Sequence, residues 1–190
     1  MLSPLFNYIN DIQPINEDTA RALDECFEII EAPKRDFLLK DGQVCNYLYL
    51  LIEGLVRIYY IKDDEEVCSL FIEEKSLFHA PDSFYSRKSG YQFIETLEQS
   101  VIARIHYDKL QQLYKTHPEL NFIGRVITEN YFVKSFERLY LLRKQTAEER
   151  YTYFANHYPG LLLKVPLKYI ASYLGLTLET LSRIRSKIRK

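Results

Sequence analysis

The residues best equipped for chemistry lie at the C-terminal end of this 190-residue chain. Arg183, Arg185, Lys187, Arg189 and Lys190 place five positive charges in the last eight positions, with no carboxylate among them. Just before them, Thr177, Glu179, Thr180 and Ser182 supply hydroxyls and one carboxylate. At helical spacing, Glu179, Thr180, Ser182 and Arg183 fall opposite Leu181, Ile184 and Ile188, so a helix here presents one polar, cation-rich face. That face suits DNA. Arg183 can pair bidentately with guanine, Glu179 can accept from a cytosine amino group, and Lys187, Arg189 and Lys190 can contact phosphates.

Such a helix must be held out from the body by a partner, and the preceding residues describe one. Pro166 precedes Leu167–Leu174, Gly175 supplies a left-handed C-cap, Leu176-Thr177 forms a turn, and Thr177 caps the next helix. Ala171 is small where the two helices cross, while Ile170, Leu174, Leu176, Leu181 and Ile184 fill the wedge between them. This is the helix-turn-helix pattern, which lays its second helix in a major groove. Upstream, Thr146-Ala-Glu-Glu149 fits a capping box opening a helix to about His157, with Tyr158-Pro159-Gly160 ending it.

The net charge of −1 hides a division. Residues 1–133 hold 13 Lys+Arg against 22 Asp+Glu, a net of −9, whereas residues 134–190 hold 12 against 4, a net of +8. An acidic body with a basic end predicts two functional parts, the second facing a polyanion. Between them, Glu119 to about Lys144 carries no Pro and one Gly, and its apolar residues exceed a single face. A long helix with two apolar faces must bury both. One can lie on the body and the other can meet its copy in a second subunit, with Ile123, Ile127 and Tyr131 assigned to dimerisation; burial of both within one chain is the alternative.

The body reads as strands. Apolar residues at Ala20, Leu23, Phe27 and Ile30 predict a helix over 17–30. Short β-branched and aromatic runs follow at 37–39, 47–52, 55–61, 67–72, 91–97 and 101–105, with turn signals at Asp41-Gly42, Glu53-Gly54 and Asp63-Asp64. This spacing predicts an antiparallel sandwich or barrel, closed by a short helix over 108–115. With 47% hydrophobic and 27% charged residues, disorder and fibrous repeats are excluded. The longest apolar run, Tyr47–Ile52, is too short for a membrane span, and the N-terminus lacks signal-peptide features, so a cytoplasmic location and no membrane partner are expected. Cys26, Cys45 and Cys68 have neither disulfide nor metal-knuckle spacing and read as buried thiols.

Lys40-Asp-Gly42, Leu51-Ile-Glu-Gly54-Leu-Val-Arg57, the long helix, and Ile170 to Arg185 with Glu179-Thr-Leu-Ser-Arg183 at its centre resemble the Crp–Fnr family over nearly the whole chain. The resemblance implies an α+β protein with three parts. Residues 1–117 form an N-terminal antiparallel β jelly roll of cyclic-nucleotide-binding type with N-terminal helices, 118–144 a long dimerisation helix, and 145–190 a helix-turn-helix domain. It implies a homodimeric bacterial transcription regulator bound to palindromic double-stranded DNA, with RNA polymerase and an unknown small-molecule effector as further partners. Glu179 and Arg183 match the family's base-reading positions, and Leu178 stands where many members have Arg. The family's usual β-hairpin wing after this helix is expected to be lacking.

By the same resemblance, cyclic AMP binders carry a Gly-Glu pair for the ribose and an Arg-Ser pair for the phosphate. Here the first stretch reads His79-Ala-Pro-Asp-Ser-Phe84 and the Arg-Ser position reads Gly90-Tyr91, so cyclic AMP is not expected. Ser83, Arg87, Tyr91 and Ser135 remain as pocket candidates. Three scattered cysteines do not make an iron–sulfur cluster, and His79, His106, His117 and His157 read as surface or helix-end residues, not haem ligands. No metal site and no cofactor are expected. An enzyme reading fails for want of a His-x-His cluster, a Gly-rich phosphate loop, GxSxG or HExxH. A ligand-sensing module that binds a protein partner is the alternative, although its exposed helix face would be apolar where Glu179–Arg185 is charged.

Overall fold

The structure is a computed structural model that describes residues 2–188. Among these residues, two four-stranded antiparallel sheets form a jelly roll. One runs in the order β1 (Glu28–Ala32), β8 (Ser100–His106), β3 (Tyr47–Glu53), β6 (Ser76–Phe78). The other is β2 (Phe37–Leu39), β7 (Gln92–Thr96), β4 (Val56–Lys62), β5 (Glu65–Ile72). The β4–β5 hairpin turns on Asp63 and Asp64, both at positive φ (52° and 62°), the two-residue geometry whose twist matches the flanking strands.

The helices follow from burial. Leu5 and Ile9 of α1 (Ser3–Ile12) and Leu23 of α2 (Glu17–Cys26) pack into the core of the roll together with Leu110 and Leu113 of α4 (Tyr107–Thr116). Central strand β8 is thereby covered on both faces, and Ile102, Ala103 and Ile105 are fully buried. The helix expected over 17–30 stops at Cys26, because Ile29 and Ile30 pair with β8 as part of β1. Three short elements were not anticipated as such: β6, α3 (Pro81–Ser86) and α7 (Pro159–Lys164). Pro159 ends α6 (Ala147–His157) and also starts α7, since a proline at the first helical position gives up no bonded N–H.

The long helix α5 runs Glu119–Lys144 behind Pro118, as the sequence predicts. Beyond it, α6, α7, α8 (Leu167–Tyr173) and α9 (Leu178–Ile188) enclose a second core of Phe154, Leu161, Ile170, Leu174 and Leu181. That core also contains Leu55 and Leu97 from the β region, so the C-terminal helices are packed onto the roll instead of standing apart from it.

Two glycine turns differ in what they tolerate. At Gly54 (φ +105°) a Cβ would lie 2.7 Å from the Gln99 carbonyl oxygen and 2.9 Å from Ser100 Cα, whereas at Gly42 (φ +80°) the space is open. Gly42→Ala should therefore cost only the left-handed backbone term, about 1–2 kcal/mol. Gly54→Ala should cost more, on the order of 3 kcal/mol, because backbone must also move. Urea-unfolding midpoints of the two variants give the comparison; equal losses would contradict it.

Candidate nucleic-acid interface

The C-terminal helices are built around one turn. Gly175 sits at φ +63° and donates its N–H to Ser172 O (3.0 Å), while the Leu176 N–H reaches Ala171 O (2.9 Å). These are the paired bonds of a Schellman stop, which satisfies the last carbonyls of α8 and swings the chain to its next helix. Thr177 Oγ1 then accepts from the Thr180 N–H (3.2 Å), capping α9. Ile170, Ala171, Leu174, Leu181 and Ile184 are buried between α8 and α9, with Leu176 partly so. The capping box at Thr146 and Glu149 is present at the start of α6, and its backbone bond holds the Glu149 carboxyl below its ordinary pKa.

This frame turns the polar side of α9 outward. Thr177, Glu179, Ser182, Arg183 and Lys187 are exposed, and Thr180 and Arg185 are half-buried. Arg183 and Arg185 have no carboxylate within ion-pair distance among the described residues. Lys187 Nζ lies 2.6 Å from Glu148 Oε1 on α6, an exposed pair of the kind that contributes little and that a phosphate can displace. Arg189 and Lys190 lie outside the described residues.

Of the four pocket candidates, Ser83 lies in α3 and Arg87 caps its end, donating its N–H to Ser83 O (2.9 Å). Ser83 is fully buried, its hydroxyl accepting from Cys45 N–H (2.9 Å) and donating to Lys88 O (2.6 Å). Arg87 is bound to Cys45 O (2.8 Å) and Asn46 Oδ1 (2.6 Å) and lies over the Tyr107 ring. Tyr91 is 57% exposed, and Ser135 is an exposed residue of α5 whose hydroxyl donates to Tyr131 O. A cavity of about 600 Å³ lies between α5 and the roll, lined by Leu48, Leu77, His79, Tyr114, Ile127 and Tyr131 among others.

One sequence expectation needs correcting here. His79 is not a surface residue: its ring packs against Phe84 and Tyr85, Nε2 is buried without a hydrogen-bond partner, and burial lowers its pKa to about 4. His106 and His117 do cap the ends of α4, and His157 ends α6. Within the single chain, the three residues assigned to dimerisation lie on the side of α5 that meets the roll. Ile123 is 2% exposed in the core of the roll, Ile127 packs against it, and Tyr131 faces His79. The apolar side of α5 left open is Phe132, Val133, Phe136, Leu139 and Tyr140, of which Phe132 is 62% exposed. Periodicity revealed two apolar faces but not which one the roll would take.

One buried group escaped the sequence reading. Arg57 on β4 is 1% exposed, with Nε 2.7 Å from Glu95 Oε2 and Nη1 2.7 Å from Glu66 Oε2. Burial alone would lower its pKa, but the two carboxylates outweigh that and hold the guanidinium charged. An arginine inside the apolar run 55–61 was the available signal.

Comparison with known proteins agrees with this architecture. The sequence profile of the cyclic nucleotide-binding domain matches residues 29–117. Electron transport regulator A of Shewanella oneidensis is 27% identical over 188 residues, covering 90% of this chain and 74% of its own. Regulatory protein HlyX of Actinobacillus pleuropneumoniae is 26% identical over 174 residues, covering 83% and 70%. The solved structure of FixK2 from Bradyrhizobium japonicum superposes with a TM-score of 0.75 at 20% identity, covering 86% of this chain and 84% of its own, which shows the fold. Residues 29–117 thus match a cyclic nucleotide-binding domain, and the chain is similar over most of its length to bacterial regulatory proteins, in agreement with the resemblance to the Crp–Fnr family. Both curated relatives are named as regulators, which favours the regulator reading over the protein-binding alternative. No helix among the described residues is long and apolar enough to cross a membrane.

Two outcomes follow from this geometry. Arg183→Ala should weaken binding to the preferred duplex by about 1–3 kcal/mol and relax the preference at one base position, whereas Lys187→Ala should weaken all duplexes alike and reduce the salt slope by about 1. Titrating both variants against a base-substituted duplex panel at several salt concentrations separates the two roles. His79 binds its proton more weakly folded than unfolded, so its contribution to stability is full above the ordinary value of 6.5 and is lost as pH falls towards 4. His79→Phe should flatten the unfolding midpoint over that interval, and an unchanged slope would show that His79 does not titrate as placed.

Proposed function

We propose that the protein acts as a homodimer that sets two copies of α9 into successive major grooves of a palindromic site, with Glu179 and Arg183 reading bases. Thr177, Thr180, Ser182, Arg185 and Lys187 are assigned to the surrounding DNA contacts, together with Arg189 and Lys190. The observation that carries this reading is the exposed row Glu179, Ser182 and Arg183 on a helix whose opposite side is closed by Leu181 and Ile184.

The dimer seam is assigned to the open side of α5. Phe132 and Phe136 lie in contact one turn apart, 4.8 Å between ring centroids, and continue into Leu139 and Tyr140. An apolar stripe of this length on an isolated subunit marks an interface. A second copy fits best, since a two-fold axis along paired helices gives a self-complementary contact and two reading heads.

We assign the β domain to an effector other than cyclic AMP, or to a scaffold role. The stretch of the ribose-binding pair reads His79-Ala-Pro-Asp-Ser-Phe84, and Ser83 and Arg87 bond backbone groups. A cyclic phosphate there would lack a buried cation, which is costly. Nor do we assign an iron–sulfur cluster or haem: burial raises the pKa of the Cys45 and Cys68 thiols, that of Cys68 to about 12, which disfavours the thiolates a cluster needs. RNA polymerase as a partner and a cytoplasmic location belong to the same proposal.

Phe136→Glu tests the seam. It should yield a monomer in sedimentation and lower affinity for a palindromic duplex by on the order of 100-fold while leaving a single half-site less affected. A Phe136→Glu protein that still sediments as a dimer would move the seam elsewhere. Calorimetric titration of the wild type with cyclic AMP should show no saturable heat; a saturating isotherm would contradict the effector assignment.

A further inference from the structure

Both faces of β4 are buried, and the face away from the roll's core is covered by α8, the first helix of the helix-turn-helix. Three contacts hold α8 there. The Arg57 guanidinium lies over the Tyr169 ring at 3.8 Å and over the Tyr59 ring at 4.0 Å, so the cation contacts one ring from α8 and one from its own strand. Ser172 Oγ accepts from Cys68 N–H and donates to Glu66 O, both at 2.9 Å. Those backbone groups lie on β5, which ends its sheet and has β4 as its one strand neighbour. One hydroxyl thus closes the exposed edge opposite the bulge, where Tyr59 pairs with Cys68 and Ile58 with Leu70. On the other side, Arg138 of α5 donates to Tyr173 O (3.1 Å) and stacks on its ring at 3.7 Å.

We infer that Arg57, Tyr169 and Ser172 are positioning residues for DNA recognition: they clamp α8 to the sheet, and thereby fix where α9 stands relative to α5 and how far apart the two reading heads lie. None of the three sits on the exposed face of α9, so none needs to touch DNA. The clamp is directional because its bonds differ in kind. The guanidinium is pinned on the sheet by Glu66 and Glu95 in its own plane, leaving its flat face for Tyr169. The Ser172 bonds fix the slide of α8 along β5, because they engage one N–H and one C=O of that edge. A reading head held this way favours one half-site spacing, whereas a loosened head accepts several.

This inference rests on the dimeric DNA-binding reading, and the experiment separates the two. The full-length protein is titrated against duplexes carrying a palindrome selected from random DNA, with the spacer lengthened and shortened one base pair at a time, and against a single half-site. The wild type should prefer one spacer by roughly tenfold or more, and Tyr169→Ala/Ser172→Ala should reduce that preference to about threefold or less. Its single-half-site affinity and salt slope should stay at the wild-type level, because the α9 contacts are intact. Tyr169→Phe keeps the ring face over Arg57 and should retain the preference, and Ser172→Ala alone gives an intermediate if the double variant folds poorly. A double variant with full spacer preference overturns the clamp, as does one that loses affinity equally on every duplex or a Tyr169→Phe no better than Tyr169→Ala. A wild type that binds no palindrome overturns the DNA-binding reading itself.

Discussion

A single buried cation organises the junction on which the molecule depends. Arg57 is placed by strand alternation on the outer face of β4, where it would be solvated if the roll stood alone. The chain covers it instead with α8, and a covered charge must be matched. Glu95, its cross-strand partner on β7, and Glu66 on β5 supply the match, while the Tyr59 and Tyr169 rings contact the guanidinium. Removing one partner of such a cluster typically costs about 3–5 kcal/mol, because the remaining charge stays buried. The joint therefore has a well-defined geometry as well as affinity. Packing alone, through Leu55, Leu97 and Phe71, would hold the helices to the sheet but would specify their position less sharply.

From that joint the positions of the other functional elements follow. The helix α8 is fixed against sheet and α5 together, the Schellman turn at Gly175 sets the angle to α9, and the exposed polar row faces away from both cores. The long helix divides its two apolar faces accordingly. Leu120, Ile123 and Ile127 close the roll, and Phe132, Val133, Phe136, Leu139 and Tyr140 are left exposed on the side proposed as the seam. The cavity beside His79 lies along the same helix, and Phe132 and Val133 border both it and the open stripe. A molecule bound there would be felt at the seam, so the β domain and the DNA-reading end have a physical route of communication through α5.

The parts of this arrangement governed by local rules were legible in the sequence. A glycine needing positive φ, a capping box, a two-residue aspartate turn and a 26-residue helix free of interior proline each leave a mark within a few positions. So did the amphipathic character of α9. What depends on long-range packing was not legible. Two apolar faces on α5 give no indication of which meets the roll; Ile123 is buried there, with Ile127 and Tyr131 half-buried beside it. Ser83 and Arg87 sit near the expected ligand position, yet both bond the Cys45 backbone and Arg87 also the Asn46 side chain, some forty residues away in the chain. Arg57 carried the least visible information of all: its partners come from β5 and β7, and its cover from α8.

The account stands most directly on sequence-specific reading of DNA by a two-fold symmetric dimer. The measurement to make is selection of bound duplexes from a random pool by purified, ligand-free protein at near-physiological salt, followed by sequencing. The account predicts an inverted repeat whose half-sites are about one helical turn apart, centre to centre, or a multiple of it. Enrichment of an unrepeated or asymmetric sequence would contradict the dimeric arrangement. Equal retention of all sequences, in the absence and the presence of cell-extract metabolites, would contradict specific recognition by α9.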